Sequence, residues 1–225
     1  MSLLHSIKLV VAPPHPAAKP FLIGGGIVAV AGAILPNSWA HAAGVLGLIF
    51  VLFCLYFFRD PERIAPTRPG LAIAPADGHV VMVGEAVPPP ELGLGPAALP
   101  RVAIFLSVLD VHVNRMPVAA EVTAVAYHKG QFLNASLDKA SDLNERNALA
   151  LRLPDGRAMA VVQIAGLVAR RILCSAKPGQ NFARGERFGI IRFGSRTDLY
   201  LPPGTVPLVS VGQTMIGGET VIAEL

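Results

Sequence analysis

Charge is what this sequence is short of. Only 15% of its 225 residues are Asp, Glu, Lys or Arg, against roughly a quarter in a typical soluble domain. It has no block of Lys and Arg, and the basic residues alternate with acidic ones to give a net charge of only +4. That balance excludes a nucleic-acid binder built on a basic stripe and suits an anionic lipid surface better. The chain holds two cysteines, Cys54 and Cys174. Cys54 lies in an apolar run, so a bridge to Cys174 is not expected, and neither cysteine has metal-ligand spacing around it. No metal is expected. Both thiols read as small packing groups in a reducing compartment.

What the chain has instead is apolar residues, 52% of the total, concentrated in the first 60. Phe21–Leu35 (FLIGGGIVAVAGAIL) and Ala42–Phe58 (AAGVLGLIFVLFCLYFF) carry no charge, and Pro36-Asn37-Ser38 between them is a turn signal. Each run is a little shorter than the ~20 residues of a usual spanning helix. The pattern predicts a helical hairpin that crosses or dips into the bilayer, with a buried helical pair in a soluble protein as the competing reading. A cleaved signal peptide fits less well, because a second apolar run follows and no small-residue cleavage site ends the first. Lys8 and Lys19 precede the pair, and Arg59 and Arg63 follow it. If both runs cross, the positive-inside rule puts both flanks in the cytoplasm. Residues 1–65 are therefore read as a cell-membrane anchor, and 66–225 as one folded domain on the cytoplasmic side.

From Leu71 onward short β-type stretches alternate with Gly, Pro and Asp turns. Strands are predicted at Gly78–Gly84, Val102–Val108, Val111–Asn114, Glu121–His128, Ala148–Leu153, Met159–Ala165, Phe188–Phe193, Leu199–Leu201 and Val221–Glu224. Phe132–Arg146 reads as a loop or short helix. Lys129, Lys139, Glu145 and Arg146 border it and are either solvated or line an entrance. The predicted class is mainly β, a barrel-sandwich-hybrid-like domain behind a hydrophobic hairpin. Ala72–Glu85 and Val209–Glu224 form a weak internal echo of the half-motifs of such domains. Neither half has the lysine that would carry biotin or lipoate.

The sharpest local feature is RFGSRTDLYL, Arg192–Leu201. A Gly-Ser pair is usually a turn. Here it follows one hydrophobic strand and precedes another. Gly194 can take backbone conformations closed to other residues. Ser195 Oγ could then attack the Gly194 carbonyl, shifting the acyl group from nitrogen to oxygen. Removal of the α-proton eliminates the ester, and the dehydroalanine left behind hydrolyses to a pyruvoyl group. A serine needs a base for this. In FLSVLDVHVNRMP, strand alternation would put Asp110, His112 and Asn114 on one face. His112 is the expected base, Asp77 in Pro75-Ala76-Asp77-Gly78 is the carboxylate expected to orient it, and Asp110 is a secondary choice. His79 and His128 read as structural or exposed.

Four motifs occur in this order: Phe57-Phe58-Arg59-Asp60-Pro61, Pro75-Ala76-Asp77-Gly78, Asp110-Val111-His112 and Phe193-Gly194-Ser195. Together they resemble the short bacterial form of the phosphatidylserine decarboxylases over essentially the whole chain. The resemblance implies a carboxy-lyase of phospholipid biosynthesis that converts phosphatidylserine to phosphatidylethanolamine. It implies a proenzyme cut between Gly194 and Ser195 into a long β chain (1–194) and a short α chain (195–225), paired and themselves able to dimerise. Ser195 would become a covalent pyruvoyl cofactor that condenses with the substrate amine, and Asp77, His112 and Ser195 match the family's Asp, His and Ser. His112 would reprotonate the product carbanion. Two positions depart from many relatives. Arg115 stands where a second histidine often occurs, and Phe-Gly-Ser-Arg replaces Leu-Gly-Ser-Thr. Arg59 and Arg63 would meet lipid phosphate or serve as ordinary positive flanks. The alternatives are a membrane-anchored adaptor without activity, or a pyruvoyl decarboxylase of a soluble amino acid.

Overall fold

A computed structural model of the chain describes residues 12–130, 144–166, 171–192 and 194–225. It divides into two compact units, Met1–Glu62 and Arg63–Leu225.

The first unit is a helical hairpin of α1 (Lys19–Ile34) and α2 (Ser38–Phe57). Pro20 occupies the first turn of α1, where a missing N–H costs nothing. Asn37 caps α2 by accepting the Ala40 N–H at 2.8 Å, so the turn signal does two jobs. The seam between the helices is made of glycines. A β-carbon on Gly32 would lie 2.4 Å from Gly44 Cα, and one on Gly47 would lie 2.9 Å from the Ala29 nitrogen. Small residues at such a seam let two backbones approach closely, which is the packing used inside bilayers. The outward side is apolar too: Ile27 is 64% exposed, Leu46 66% and Trp39 86%. That much bare apolar surface suits lipid rather than water, which weighs against the buried helical pair of a soluble protein. Both helices are long and apolar enough to cross a membrane.

The second unit is built of β1 (Leu71–Ile73), β2 (Gly78–Ala86), β3 (Leu99–Leu106), β4 (Val113–Arg115), β5 (Ala120–His128), β6 (Arg146–Arg152), β7 (Ala158–Ala165), β8 (Arg171–Cys174), β9 (Asn181–Phe182), β10 (Arg187–Arg192), β11 (Ser195–Tyr200), β12 (Thr214–Met215) and β13 (Val221–Glu224). Eight strands form one antiparallel sheet in the order β12-β2-β3-β11-β7-β6-β5-β9; β4-β10-β8 and β1-β13 form two small ones. The expected class, mainly β behind an apolar helical hairpin, is what the chain adopts. The two echo segments pair with each other: β1 with β13, and β2 with β12.

One face of the large sheet carries Val102, Ile104, Leu149, Leu151, Val161 and Leu199 into the main core, where they meet Phe188 of β10. The opposite face around β6, β7 and β11 is covered as well, by Leu92 and Leu99 packing on Ala148, Ala150, Ala160, Val162, Ile164 and Tyr200. The alanines keep that second layer thin. β11 is therefore buried at every position. Its residues alternate between two covered faces, not between core and water.

Two of the strand boundaries that differ from expectation do so for one reason. β3 stops at Leu106 instead of running to Val108, and β4 starts at Val113 instead of Val111. The Asp110 carboxylate accepts the Ser107 N–H at 2.7 Å, and the Asp110 N–H bonds the Ser107 carbonyl. This side-chain turn closes the connection and takes Asp110 out of strand alternation with His112. β8, β9 and β12 are too short to announce themselves in the sequence. Most of Phe132–Arg146, including Lys139, lies outside the described residues, as does Phe193.

Candidate active site

The chain crosses from the small sheet to the large one between β10 and β11, and it does so at Gly194-Ser195. Gly194 has φ +70°, with nothing within 4 Å of where a β-carbon would stand. The requirement for glycine here is conformational, not steric. Ser195 follows as the first residue of β11, in the middle of the large sheet, opposite Leu106 on one side and Ala165 on the other.

Both peptide groups at this crossing are held. The Gly194 N–H donates to His112 Nε2 at 3.3 Å, and the Gly166 N–H donates to the Gly194 carbonyl at 3.1 Å. That carbonyl belongs to the Gly194–Ser195 bond. The Ser195 hydroxyl is fully buried and has no hydrogen-bond partner among the described residues. Burying an unmatched hydroxyl costs free energy, so such a group in a folded protein calls for a functional reason. His112 is equally buried, and its Nδ1 lies 2.9 Å from the Asp110 main-chain oxygen. A carbonyl can only accept, so Nδ1 carries the proton and Nε2 presents a lone pair toward Gly194. The bulk of Asp110's contribution is thus made by its backbone. The sequence left the Asp110 side chain either polarising the site or bonding locally; it bonds locally, in the preceding turn.

Asp77 takes the Gly217 N–H on Oδ1 at 2.7 Å and Arg63 on Oδ2 at 2.9 Å. Arg115 shares this neighbourhood, because a β-carbon on Gly218 would come 2.7 Å from Arg115 Cδ and 3.2 Å from Arg63 Cβ. Arg115 also donates to the Gly185 carbonyl at 3.1 Å. The arginine standing in place of a second histidine is thus part of a buried tie around the Gly217-Gly218 turn. Across the sheet His79, Phe105 and Arg196 fall in one row of partners. Asp77 and Ser195 both lie just past that row, at the same end of the sheet.

Polar side chains that the sequence did not single out lie on the same face of the sheet as Ser195. Gln163 donates to Asn114 Oδ1 at 2.7 Å and accepts from Asn147 at 2.9 Å, all three buried. Thr197 is the strand partner of Gln163 and shares the face of Ser195. Gly189 gives Gln163 its room, since a β-carbon there would meet Gln163 Nε2 at 2.9 Å. Amides in alternating strands carry no signal of their own, and only the pairing brings them together. Cys174 lies in the same layer; burial raises its thiol pKa, in keeping with a packing role. Of the residues bordering the polar stretch, Glu145 turns inward to accept from Tyr127 and the Ile172 N–H, and Arg146 pairs with Glu91.

The far face of β11 carries a buried ion pair. Arg196 grips Asp198 through Nε at 2.6 Å and Nη2 at 2.8 Å, and Arg101 stands 3.6 Å from the same carboxylate. Both partners of the short pair are sealed from water. It fixes the backbone beside Ser195 by a fork that a threonine could not offer. Arg196→Ala is expected to cost about 3–5 kcal/mol, because it removes the two-point partner of a buried carboxylate. Urea denaturation of the variant and the parent measures this directly.

Comparison with known proteins gives a consistent result. The family model for phosphatidylserine decarboxylase matches residues 50–223. Phosphatidylserine decarboxylase proenzymes of Granulibacter bethesdensis and Gluconacetobacter diazotrophicus are each 68% identical over all of this chain, covering 91% and 100% of their own lengths. That of Cereibacter sphaeroides is 58% identical over 96% of this chain and 91% of its own. On this evidence the chain belongs to the phosphatidylserine decarboxylase family.

Proposed function

We propose that this chain decarboxylates phosphatidylserine to phosphatidylethanolamine with a pyruvoyl group that it makes from its own Ser195. The observation that carries the proposal is the buried Ser195 hydroxyl, without a hydrogen-bond partner among the described residues, next to a carbonyl already held by the Gly166 N–H. Attack of Oγ on Gly194 C puts negative charge on the Gly194 oxygen, where that N–H is waiting. A preplaced donor of this kind is worth about 2.7–4 kcal/mol in transition-state stabilisation. The C–N bond breaks as the nitrogen takes up a proton, leaving an ester. Loss of the Ser195 α-proton expels the Gly194 carboxylate, and water then displaces ammonia to leave the pyruvoyl group. His112 Nε2 is the base for the hydroxyl. Asp77 steadies this end of the sheet by holding the Gly217 N–H and Arg63 together.

These residues fit the group they would hold. The pyruvoyl carbonyl supplies the electron sink for loss of CO₂. Thr197, Gln163 and Asn114 furnish the polar floor beneath it, and Ala165, Ile172 and Ile191 an apolar wall. His112 delivers the proton that replaces the carboxylate.

After cleavage the two chains stay together. Residues 195–225 contribute β11, β12 and β13, and each is laddered to strands of the long chain. The α1–α2 hairpin is the anchor in this reading, and basic flanks on both its ends favour the cytoplasmic face of the cell membrane. Arg59 stacks over Tyr56 at 4.1 Å at the end of α2, an arrangement suited to the headgroup layer. Arg63 is committed to Asp77. A soluble amino-acid substrate would leave the apolar outer faces of both helices without a purpose.

The test is a mass spectrum of the purified protein together with CO₂ release from phosphatidylserine in mixed micelles. The expected result is a 31-residue chain beginning at residue 195 with no free amino group, and turnover of the lipid. A single intact chain, or turnover of free serine alone, would refute it.

A further inference from the structure

The turn between β3 and β4 is closed by its own hydrogen bonds and apolar at its tip. The Asp110 carboxylate accepts the Ser107 N–H at 2.7 Å, and the Asp110 N–H donates to the Ser107 carbonyl at 3.0 Å. The Leu109 N–H donates to Ser107 Oγ at 3.3 Å. The two side chains between these closures, Val108 and Leu109, are 42% and 60% exposed. A single exposed apolar residue is ordinary on a protein surface. Two in succession, held outward by a closed turn, form a patch that water disfavours. Asp110 also fixes His112, whose Nδ1 donates to the Asp110 carbonyl at 2.9 Å. One residue thus shapes the tip with its side chain and orients the ring with its backbone.

The tip stands at the Ser195 end of the large sheet. Leu106 is the strand partner of Ser195, about 5 Å away across the ladder. β3 runs antiparallel to β11, so the chain beyond Leu106 continues past that end, and Leu109 follows within about 10 Å of chain. Two more apolar residues are exposed here. His79 pairs with Phe105 on one side and Thr214 on the other. Ser107, two residues past Phe105, and Ile216, two past Thr214, therefore flank the approach to β2, and Ile216 is exposed. Ile64 is exposed as well; its N–H donates to Glu219 Oε1, and the Glu219 N–H donates to the Ile216 carbonyl.

We propose that the Ser107–Asp110 turn is a membrane-inserting tip: Val108 and Leu109 enter the interface of the phospholipid bilayer and hold the Ser195 end of the domain in its headgroup layer, with Ile64 and Ile216 on the same rim. This rests on the function proposed above, because the substrate is what orients the domain. From amine nitrogen to glycerol carbon the serine headgroup spans about 8 Å over six bonds. The polar layer of one leaflet is about 5–8 Å deep. A phospholipid that keeps its acyl chains in the bilayer while its amine reaches residue 195 therefore draws that residue to the headgroup layer. β11 is buried along its whole length and paired on both edges, so the headgroup approaches residue 195 past the end of the strand. The end that carries the tip is the end that meets the lipid. Interfacial elements bury their apolar side chains about 5–10 Å into the boundary between headgroups and acyl chains, which takes Val108 and Leu109 out of water.

The experiment uses the full chain with Trp39, its only tryptophan, changed to Phe. In that background Leu109→Trp puts an indole on the tip. Val87→Trp puts one at an exposed position just after β2, at the opposite end of that strand. Both proteins are reconstituted in phosphatidylcholine–phosphatidylglycerol vesicles with brominated acyl chains. The Leu109→Trp emission should shift to the blue and be quenched, more by bromines near the headgroup than by bromines near the chain ends; the Val87→Trp emission should do neither. The second arm is the double variant V108D/L109D, with self-cleavage, read from the mass of the short chain, reporting folding. Expected are normal cleavage and a KM for phosphatidylserine, as mole fraction of vesicle lipid, raised about tenfold or more with kcat within about twofold, the signature of lost uniform binding. With dihexanoyl phosphatidylserine dissolved as monomers, KM should stay within about twofold of the parent. A Leu109→Trp indole quenched no better than that of Val87→Trp would overturn the proposal. So would an equal loss on vesicle and monomer substrate, which would make the turn a support for His112 alone. Failure of the underlying function shows differently, as a parent protein that is uncleaved or inactive, and the quenching is read without turnover.

Discussion

Replacing Ser195 with alanine leaves the chain in one piece, abolishes decarboxylation and does not weaken the fold. The first two outcomes follow from chemistry. Without Oγ no ester can form at Gly194, and no other residue can become the carbonyl that accepts electrons. The third follows from the structure. Ser195 Oγ is buried and makes no hydrogen bond to any of the described residues, so its removal breaks none of their contacts. An unsatisfied buried hydroxyl carries a penalty of about 1–3 kcal/mol, and alanine relieves part of it. The variant should therefore melt at or above the temperature of an uncleaved parent. A denaturing gel, a mass spectrum and a thermal melt read all three. A Ser195→Ala chain that is still cut at Gly194 would refute self-processing by this serine. A marked fall in melting temperature would mean that the hydroxyl has a structural partner.

The parts of the fold legible in the sequence are those with a period or a punctuation mark. The hairpin was readable because apolar residues continue through two helical lengths and Asn37 sits at the break. The long strands β2, β5, β6 and β7 were readable from alternation bounded by turn residues. β11 was seen only from Leu199 onward. Its first half, Ser-Arg-Thr-Asp, looks like a loop by composition and is a fully buried central strand. What overrides composition there is pairing: Arg196 and Asp198 neutralise each other on one face, while Thr197 meets Gln163 on the other. The site was legible to the same degree. His112 Nε2 accepts the N–H of Gly194, the residue before Ser195. The partner of His112 Nδ1 was not readable, because it is a main-chain oxygen, and every residue has one. Gly166 was missed for the same reason, since a backbone N–H on a neighbouring strand has no side-chain signature.

His112→Ala should slow self-cleavage by about 10²–10⁴-fold, the usual contribution of a positioned base. The intermediate that accumulates identifies the step. If His112 activates the Ser195 hydroxyl, the variant stalls as the ordinary amide and hydroxylamine finds no ester to cut. If its work is only to remove the α-proton, the ester builds up and hydroxylamine splits the chain after Gly194. The orientation of the ring favours the first outcome. Nδ1 is fixed by the Asp110 carbonyl, and Nε2 already faces the Gly194 N–H, beside the atom that must be attacked. The substitution also removes a buried ring that joins two backbone groups, so some stability is lost, about 1–3 kcal/mol for each group left unmatched. His112→Gln separates the effects, because its amide can still bond the backbone but is no base. It should remain folded by circular dichroism and cleave as slowly as alanine. Cleavage of His112→Gln at the wild-type rate would remove His112 from self-processing and leave it only the later protonation of product.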